Sequence, residues 1–403
     1  MKKIGILTHY YKSDNIGGLL QAYALPYILN KYSYKSEQIS FDFNVYRTYN
    51  REKYNELFVN KNSKITLKKI IKYPFRKVKN FIVKNLVLKK IYLQDIILKG
   101  KIDLQNNIIK EFEEYILHSD QIYTIPNIYN TNKFYDAFII GSDQVFSSYL
   151  LFINVFYGEF VNEDKPVISY GASTNLTKFP PKAEKLFADK LQRFNAISVR
   201  EKTLKEYIES ITDKKVTVVL DPTFLLTPKE WLKVSNPQII PNKKYIFCYF
   251  LGSKSVWQRK VAQAYADKYG YEVIHLPYIM RNIRSADKYL KGQDRYDVGP
   301  REFISLINNA ECIFTDSFHG MVFSINFNKK FYVFNRDDKS GNLSMNARIT
   351  DMLDMLGLSS WYITDEKAIL DNNVIDYTQV NKILKEEKEK SIKWLLNALS
   401  MNI

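Results

Sequence analysis

The chain has 403 residues, 46% hydrophobic and 25% charged, with a formal net charge of +16; this length exceeds one ordinary core, so two domains are expected, and the composition excludes disorder along most of the chain. Cys248 and Cys312 lie in separate apolar runs without CxxC spacing or clustered histidines, which argues against a zinc site and favours buried thiols of a reducing compartment over a disulfide. No run reaches the roughly 18 residues of a membrane span, and the N-terminal apolar stretch is too short for a signal peptide, so a cytoplasmic protein is expected.

The first apolar run, "KIGILTHY" (Lys3 to Tyr10), reads as a strand, and "LLQAYALPYILN" after the turn-rich "KSDNIGG" has helical spacing of its large residues. Within that turn Asn15, Gly17 and Gly18 are candidates for acceptor binding, because glycine lets a substrate approach the backbone; the bland reading is a turn alone. Charge is concentrated next. Between Lys61 and Lys101 stand 13 Lys and Arg against a single acid, Asp95, a local balance of +12. Cations mix there with Ile, Leu, Val and Phe at mostly helical spacing, so a basic helical insertion is expected in the first domain, at about residues 45–125. Two readings stay open: an amphipathic segment for an anionic membrane surface, or a solvated helical face. There is no recognisable nucleic-acid-binding motif, and no nucleic acid partner is expected.

The runs "FYDAFIIGSDQVF", "KPVISYGAS", "FNAISVREKTLKEYIES" and "VTVVLDPTFLL" each end in small or polar residues. Strands alternating with helices predict a largely parallel sheet, with ligand loops at the strand C-terminal ends. Gly141, Ser142, Asp143 and Gln144 fall at one such end. Ser142 and Gln144 suit hydrogen bonds to an acceptor sugar and Asp143 suits acid/base work; a turn with an Asp cap is the competing reading. The polar "KVSNPQIIPNKK" (Lys233 to Lys244) reads as a linker between a first domain, residues 1–232, and a second, residues 245–375. The second half repeats the alternation through "YIFCYFLG", "VWQRKVAQAYADKYG", "YEVIHLP", "PREFISLINNA", "ECIFTDS", "HGMVFSINFN" and "KKFYVFN". Residues 376–403 are expected to form a helix that packs back across the domain boundary. The fold class is thus α/β, with two Rossmann-like domains facing a cleft in a glycosyltransferase-B-like arrangement.

Six strings in this order, "DNIGGLLQAYAL", "DAFIIGSDQVF", "SYGAS", "ISVREKTLKEYI", "VLDPTFLL" and "TDSFHG", resemble the polysaccharide pyruvyl transferase family over nearly the whole chain outside the basic stretch. The resemblance implies a transferase that takes phosphoenolpyruvate as donor and a sugar hydroxyl pair as acceptor. Its product would be a pyruvate ketal on an exopolysaccharide or capsule glycan, with no cofactor and no metal. The basic stretch motivates a lipid-linked acceptor and a peripheral place at the inner face of the membrane. Donor binding falls to Arg200, Ser317, Phe318, His319 and Gly320. Arg200 follows a short strand and precedes a helix, where anions are favoured, and its planar fork suits phosphate and carboxylate; an ion pair with Glu201 is the structural alternative. His319 and Asp143 are the catalytic candidates. A histidine near neutral pKa can deliver a proton to the enol methylene or contact phosphate, and Asp316 or Ser317 can cap the helix it begins.

One departure bears on the donor. Some family members carry an arginine two residues before this histidine, where the present chain has Ser317, so that cation is either missing, which would change the donor, or supplied from elsewhere, for example by Arg336 or Arg348. His9 is a weaker site candidate, and Asp221 with Pro222 is expected to shape the domain junction. A nucleotide-sugar glycosyltransferase of the same architecture, or a non-catalytic glycan- or membrane-binding relative, are the alternative functions.

Overall fold

A computed structural model describes residues 1–42, 57–58, 98–252, 255–278, 286–336, 344–367 and 373–402. Most of the basic stretch from Lys61 to Lys101, with the membrane-facing segment expected there, lies outside the described residues. The first sheet contains β1 (Lys3–Leu7), β2 (Lys35–Phe41), β3 (His118–Tyr123), β4 (Ala137–Ile140), β5 (Val167–Ala172), β6 (Ala196–Val199) and β7 (Val216–Val218), in the order β3-β2-β1-β4-β5-β6-β7. The second contains β8 (Tyr245–Tyr249), β9 (Glu272–His275), β10 (Gln293–Asp294), β11 (Cys312–Thr315), β12 (Phe331–Phe334) and β13 (Tyr362–Ile363), in the order β10-β9-β8-β11-β12-β13. Every pairing is parallel. Both sheets therefore follow the doubly wound order in which the first strand lies at a reversal of direction.

Parallel pairing needs crossovers, and the helices supply them. Those of eight residues or more among the described residues are α1 (Ile16–Lys31), α2 (98–111), α3 (Pro181–Leu191), α4 (Lys202–Ile211), α5 (Val256–Tyr269), α6 (Pro300–Asn309), α7 (Phe318–Asn326), α8 (Ser344–Leu356) and α9 (Tyr377–Ser400); α9 follows the last strand, and β4 joins β5 through a loop with a single 3-10 turn. With helices on both faces, central strands are buried on both sides and read as unbroken apolar runs, as in "AFII", "CIFT" and "FYVF". Cys248 and Cys312 sit on β8 and β11 as buried free thiols. Among the described residues no helix is long and apolar enough to cross a membrane.

The two α/β units share one apolar core. Leu19 and Trp231 from the first half and Phe303 and Phe323 from the second belong to the same buried cluster, and the Trp231 and Phe323 rings lie 4.9 Å apart. An apolar interface of this kind opposes the relative domain motion that a small polar one would allow. Two helices strap it. Residue Gln105 of α2 donates to the Val298 carbonyl at 3.1 Å, and α9 places Ser391 Oγ where it accepts from Leu220 N at 2.9 Å. The segment read as an insertion also contains β3, which pairs with β2 at the edge of the first sheet.

The reversal in the first sheet lies between β1 and β4, and that in the second between β8 and β11. The loops leaving these strands face each other. Gly17, at the start of α1, lies directly against His319, at the start of α7: a Cβ on Gly17 would come within 2.1 Å of His319 Nδ1.

Candidate active site

The first-domain wall is built by the ends of β1, β4, β6 and β7. After β4 the chain turns through a cis Gly141–Ser142 peptide into Asp143, whose φ of 65° is in the left-handed region. The Asp143 carbonyl accepts from Ser173 N at 2.9 Å, so the loop after β5 fixes this turn. Asp143 Oδ1 then receives a hydrogen bond from Arg200 NH2 at 3.1 Å, and Oδ2 lies 3.5 Å from His9 Nε2. Asp221, two residues beyond Val219, accepts from Thr223 N and Thr223 Oγ1 with one oxygen and from Arg200 NH1 at 2.5 Å with the other. That second oxygen is also 3.8 Å from His319 Nε2.

Arg200 thus stands at the end of β6 and the start of α4, as its sequence position implies, with its guanidinium held between two carboxylates. The ion pair with Glu201, the alternative to donor binding, is the longest of its ion contacts: Arg200 Nε is 3.9 Å from Glu201 Oε1, and Nε itself has no hydrogen-bond partner among the described residues. The side chain of Arg200 is 1% exposed. Burial disfavours its charge, but Asp221, Asp143 and Glu201 together raise its pKa above the ordinary value. Burial likewise disfavours ionised Asp143 and Asp221. Contacts with His9 and Arg200 hold Asp143 well below the usual range, and Arg200 with the nearby His319 does the same for Asp221. Both carboxyls are therefore ionised acceptors at neutral pH.

The second-domain wall is made by the ends of β11 and β12 and by α8. Ser317 is the N-cap of α7, its hydroxyl accepting from Gly320 N at 3.3 Å. Asp316 does not cap the helix. Its two carboxylate oxygens accept from Leu251 N at 2.5 Å and Gly252 N at 2.6 Å, tying the β8 loop to the β11 loop. Gly320 is small because a Cβ there would lie 2.5 Å from Thr315 Oγ1, so its own strand end, rather than an approaching ligand, accounts for the glycine. Phe318 carries two cations. The Arg200 guanidinium lies 4.9 Å from its ring centre and that of Arg348 lies 5.6 Å away.

Arg336 and Arg348 differ from Arg200. Among the described residues neither has a carboxylate within ion-pair distance, and the Nε of each is buried without a hydrogen-bond partner. Arg336 NH2 donates to the Asp316 carbonyl at 3.0 Å. Burial, with repulsion from Arg336 and Arg200, pushes the Arg348 pKa down to about 10. Three arginines thus meet the residues that lead into α7, Arg336 at the Asp316 carbonyl and Arg200 and Arg348 at the Phe318 ring, two of them without a countercharge among the described residues.

The remaining expected residues fall around this centre. Asn15 is the N-cap residue of α1, and Gly18 packs on its side chain. Ser142 is fully buried: its hydroxyl donates to the Gly171 carbonyl at 2.6 Å and its N–H to Gln21 Oε1 at 3.2 Å. Its polar atoms therefore serve the loop. Gln144 is part-exposed beside it, and its carbonyl accepts from Ser147 Oγ. The weaker candidate His9 and Asp221, the residue expected to shape the domain junction, both touch the central charges. Beside Arg200 a cleft of about 600 Å³ opens between α4, β7, α8 and α9, lined by Thr203, Leu220, Asp351, Met355 and Glu387 among others. Among the described residues no group of three or more His, Cys, Asp or Glu is arranged to hold a metal ion.

Two doubly wound sheets with facing reversal points and a charged centre between them define a two-domain α/β protein of the glycosyltransferase-B type. The chain belongs to the polysaccharide pyruvyl transferase family, whose model matches residues 15–338. Comparison with curated proteins finds no match in sequence. Among solved structures, the UDP-GlcNAc 2-epimerase of Methanocaldococcus jannaschii is similar at 12% identity and a TM-score of 0.47, over 99% of each chain. That of Neisseria meningitidis, bound to UDP-GlcNAc, is similar at 14% identity and a TM-score of 0.43, over 97% of this chain and 100% of the other. The Streptomyces glycosyltransferase SsfS6 is similar at 8% identity and a TM-score of 0.35, over 100% of this chain and 96% of the other. These overlaps are loose, and the strand orders of the two sheets describe the fold more directly.

Proposed function

We propose that the chain transfers the enolpyruvyl group of phosphoenolpyruvate to two hydroxyls of a sugar, forming a pyruvate ketal on a polysaccharide intermediate. The observation that carries this reading is the pair Arg336 and Arg348, cations without a countercharge among the described residues, which touch Asp316 and Phe318 at the N-terminus of α7. Phosphoenolpyruvate presents a phosphate and a carboxylate, and planar guanidinium groups bind both in forked geometry. The first N–H groups of α7 lack partners within the helix and add a favourable end for an anion.

His319 delivers the proton that converts the enol methylene to a methyl group, with the Asp221 carboxylate 3.8 Å from its Nε2. The sugar oxygen bonds to the central carbon. Phosphate leaves with its bonding electron pair, and a second hydroxyl closes the ketal. Arg200 holds Asp143 and Asp221 in place from beneath. The acceptor enters through the cleft of about 600 Å³, a volume within the range of small-ligand sites. A lipid-linked acceptor at the inner membrane face is part of the proposal, motivated by the +12 balance between Lys61 and Lys101.

The test is phosphate release from phosphoenolpyruvate with a panel of methyl glycosides as acceptors, followed by mass detection of the ketal. Wild type should release phosphate in an acceptor-dependent way, and His319→Ala should lower kcat by about 10²- to 10⁴-fold with an unchanged melting midpoint. Retained turnover in His319→Ala would remove the histidine from the mechanism.

A further inference from the structure

Glu201 takes no part in donor binding or in proton delivery by His319, yet it is 4% exposed at the seam of the domains. Its Oε1 accepts from Ser173 Oγ at 2.6 Å, and its Oε2 is buried with no hydrogen-bond partner among the described residues. Arg200 Nε and Arg348 Nε share that condition. Arg200 Nε is 3.9 Å from Glu201 Oε1, and Arg348 is close enough for its charge to act on the Glu201 carboxyl. Buried polar atoms in folded proteins nearly all have partners, so three that lack them in one neighbourhood point to a ligand group.

The chemistry of that group is constrained. Two N–H donors require an acceptor, and a carboxylate oxygen requires a donor. A phosphate or carboxylate at the two Nε atoms would be repelled by Glu201, so the phosphoenolpyruvate anion is left to the other guanidinium nitrogens of Arg348. A hydroxyl both accepts and donates. A cavity of about 10 Å³ lined by Glu201, Thr203 and Ala347 but by neither arginine has about the room of one water, and Thr203 and Arg200 both line the large cleft from which a hydroxyl would have to reach Glu201.

We propose that Glu201 is the general base for the acceptor: Oε2 takes the proton of the attacking sugar hydroxyl while Arg200 Nε and Arg348 Nε hold its oxygen. This rests on the enolpyruvyl reading of the site. In the addition step the hydroxyl oxygen bonds to the central carbon and its proton passes to Glu201, while the proton from His319 goes to the methylene carbon. The C–O bond to phosphate then breaks, the electron pair leaving with phosphate, and the second hydroxyl closes the ketal as its proton goes to the departing phosphate. Burial raises the Glu201 carboxyl above its ordinary value, which strengthens it as a base.

The experiment compares wild type, Glu201→Gln and Glu201→Asp in the glycoside-dependent phosphate-release assay, with phosphoenolpyruvate thermal shifts and crystals soaked in the active methyl glycoside. Glu201→Gln should lower kcat by about 10²- to 10⁴-fold, keep the phosphoenolpyruvate shift, and lose the acidic limb of the kcat profile; Glu201→Asp should recover part of the rate. Activity of Glu201→Gln within about threefold of wild type overturns the assignment, as does loss of the phosphoenolpyruvate shift together with the rate. If wild type itself releases no phosphate, the enolpyruvyl reading fails, and a soak with methyl glycosides decides the hydroxyl site by itself. An oxygen within hydrogen-bond distance of Glu201 Oε2 and of either arginine Nε supports the site, and an ordered map without one overturns it.

Discussion

The arginines of the two domain walls are paired in opposite ways. The first-domain wall gathers three carboxylates, Asp143, Asp221 and Glu201, around one guanidinium, Arg200. The second-domain wall carries Arg336 and Arg348, with no carboxylate in ion-pair distance among the described residues, next to the N-terminus of α7. The chain's overall charge of +16 says nothing of this division. On the proposed reaction it sorts the substrates: the anionic donor belongs to the second wall, and the acceptor, which must donate protons, belongs to the first.

Replacing one arginine from each wall should show the difference most clearly. Arg200→Leu leaves two buried carboxylates without their cation and should cost about 3–5 kcal/mol of stability in denaturant titration. Arg348→Leu removes a buried cation that has no countercharge among the described residues. It should leave the midpoint unchanged or higher while raising KM for phosphoenolpyruvate by about 10- to 100-fold, the range for a lost charge-assisted hydrogen bond. Equal destabilisation by the two replacements would show that the walls do not differ as described.

The contact between the walls gives a smaller effect. Gly17→Ala places a methyl group within 2.1 Å of the present His319 Nδ1, so the ring or the helix must shift. Overpacking of this kind costs about 1–3 kcal/mol, and a displaced His319 should lower kcat more than it raises KM. Unchanged kcat would mean that the ring position is not set by Gly17.

The alternation of strands and helices was legible because parallel strands covered on both faces must be apolar along their whole length. "TDSFHG" was legible as a strand end followed by a capped helix start for the same local reason, and Ser317 is the cap. Long-range pairings were not. Sequence proximity suggested Glu201 as the partner of Arg200, but its hydrogen bonds go to Asp143 and Asp221, 57 and 21 residues away. Asp316 looked like a second possible cap, and its carboxylate instead reaches Leu251 and Gly252 on another strand end. Gly17 and Gly320 both read as openings for a ligand; one is shaped by His319 across the domain seam and the other by Thr315 within its own loop. Arg336 and Arg348 could be named as substitutes for a cation absent at Ser317, but that neither has a carboxylate in ion-pair distance among the described residues is a property of the folded chain alone.

The central claim is that this cleft binds an enolpyruvyl donor on its second-domain wall. Thermal-shift titration with phosphoenolpyruvate, with UDP and GDP in parallel, tests it most directly, because a ligand bound by the folded state alone raises the melting midpoint. The account predicts a saturable shift with phosphoenolpyruvate, absent with both nucleotides and lost in the double variant Arg336→Ala, Arg348→Leu. A shift with UDP or GDP and none with phosphoenolpyruvate would contradict it and assign the cleft to a nucleotide-linked donor.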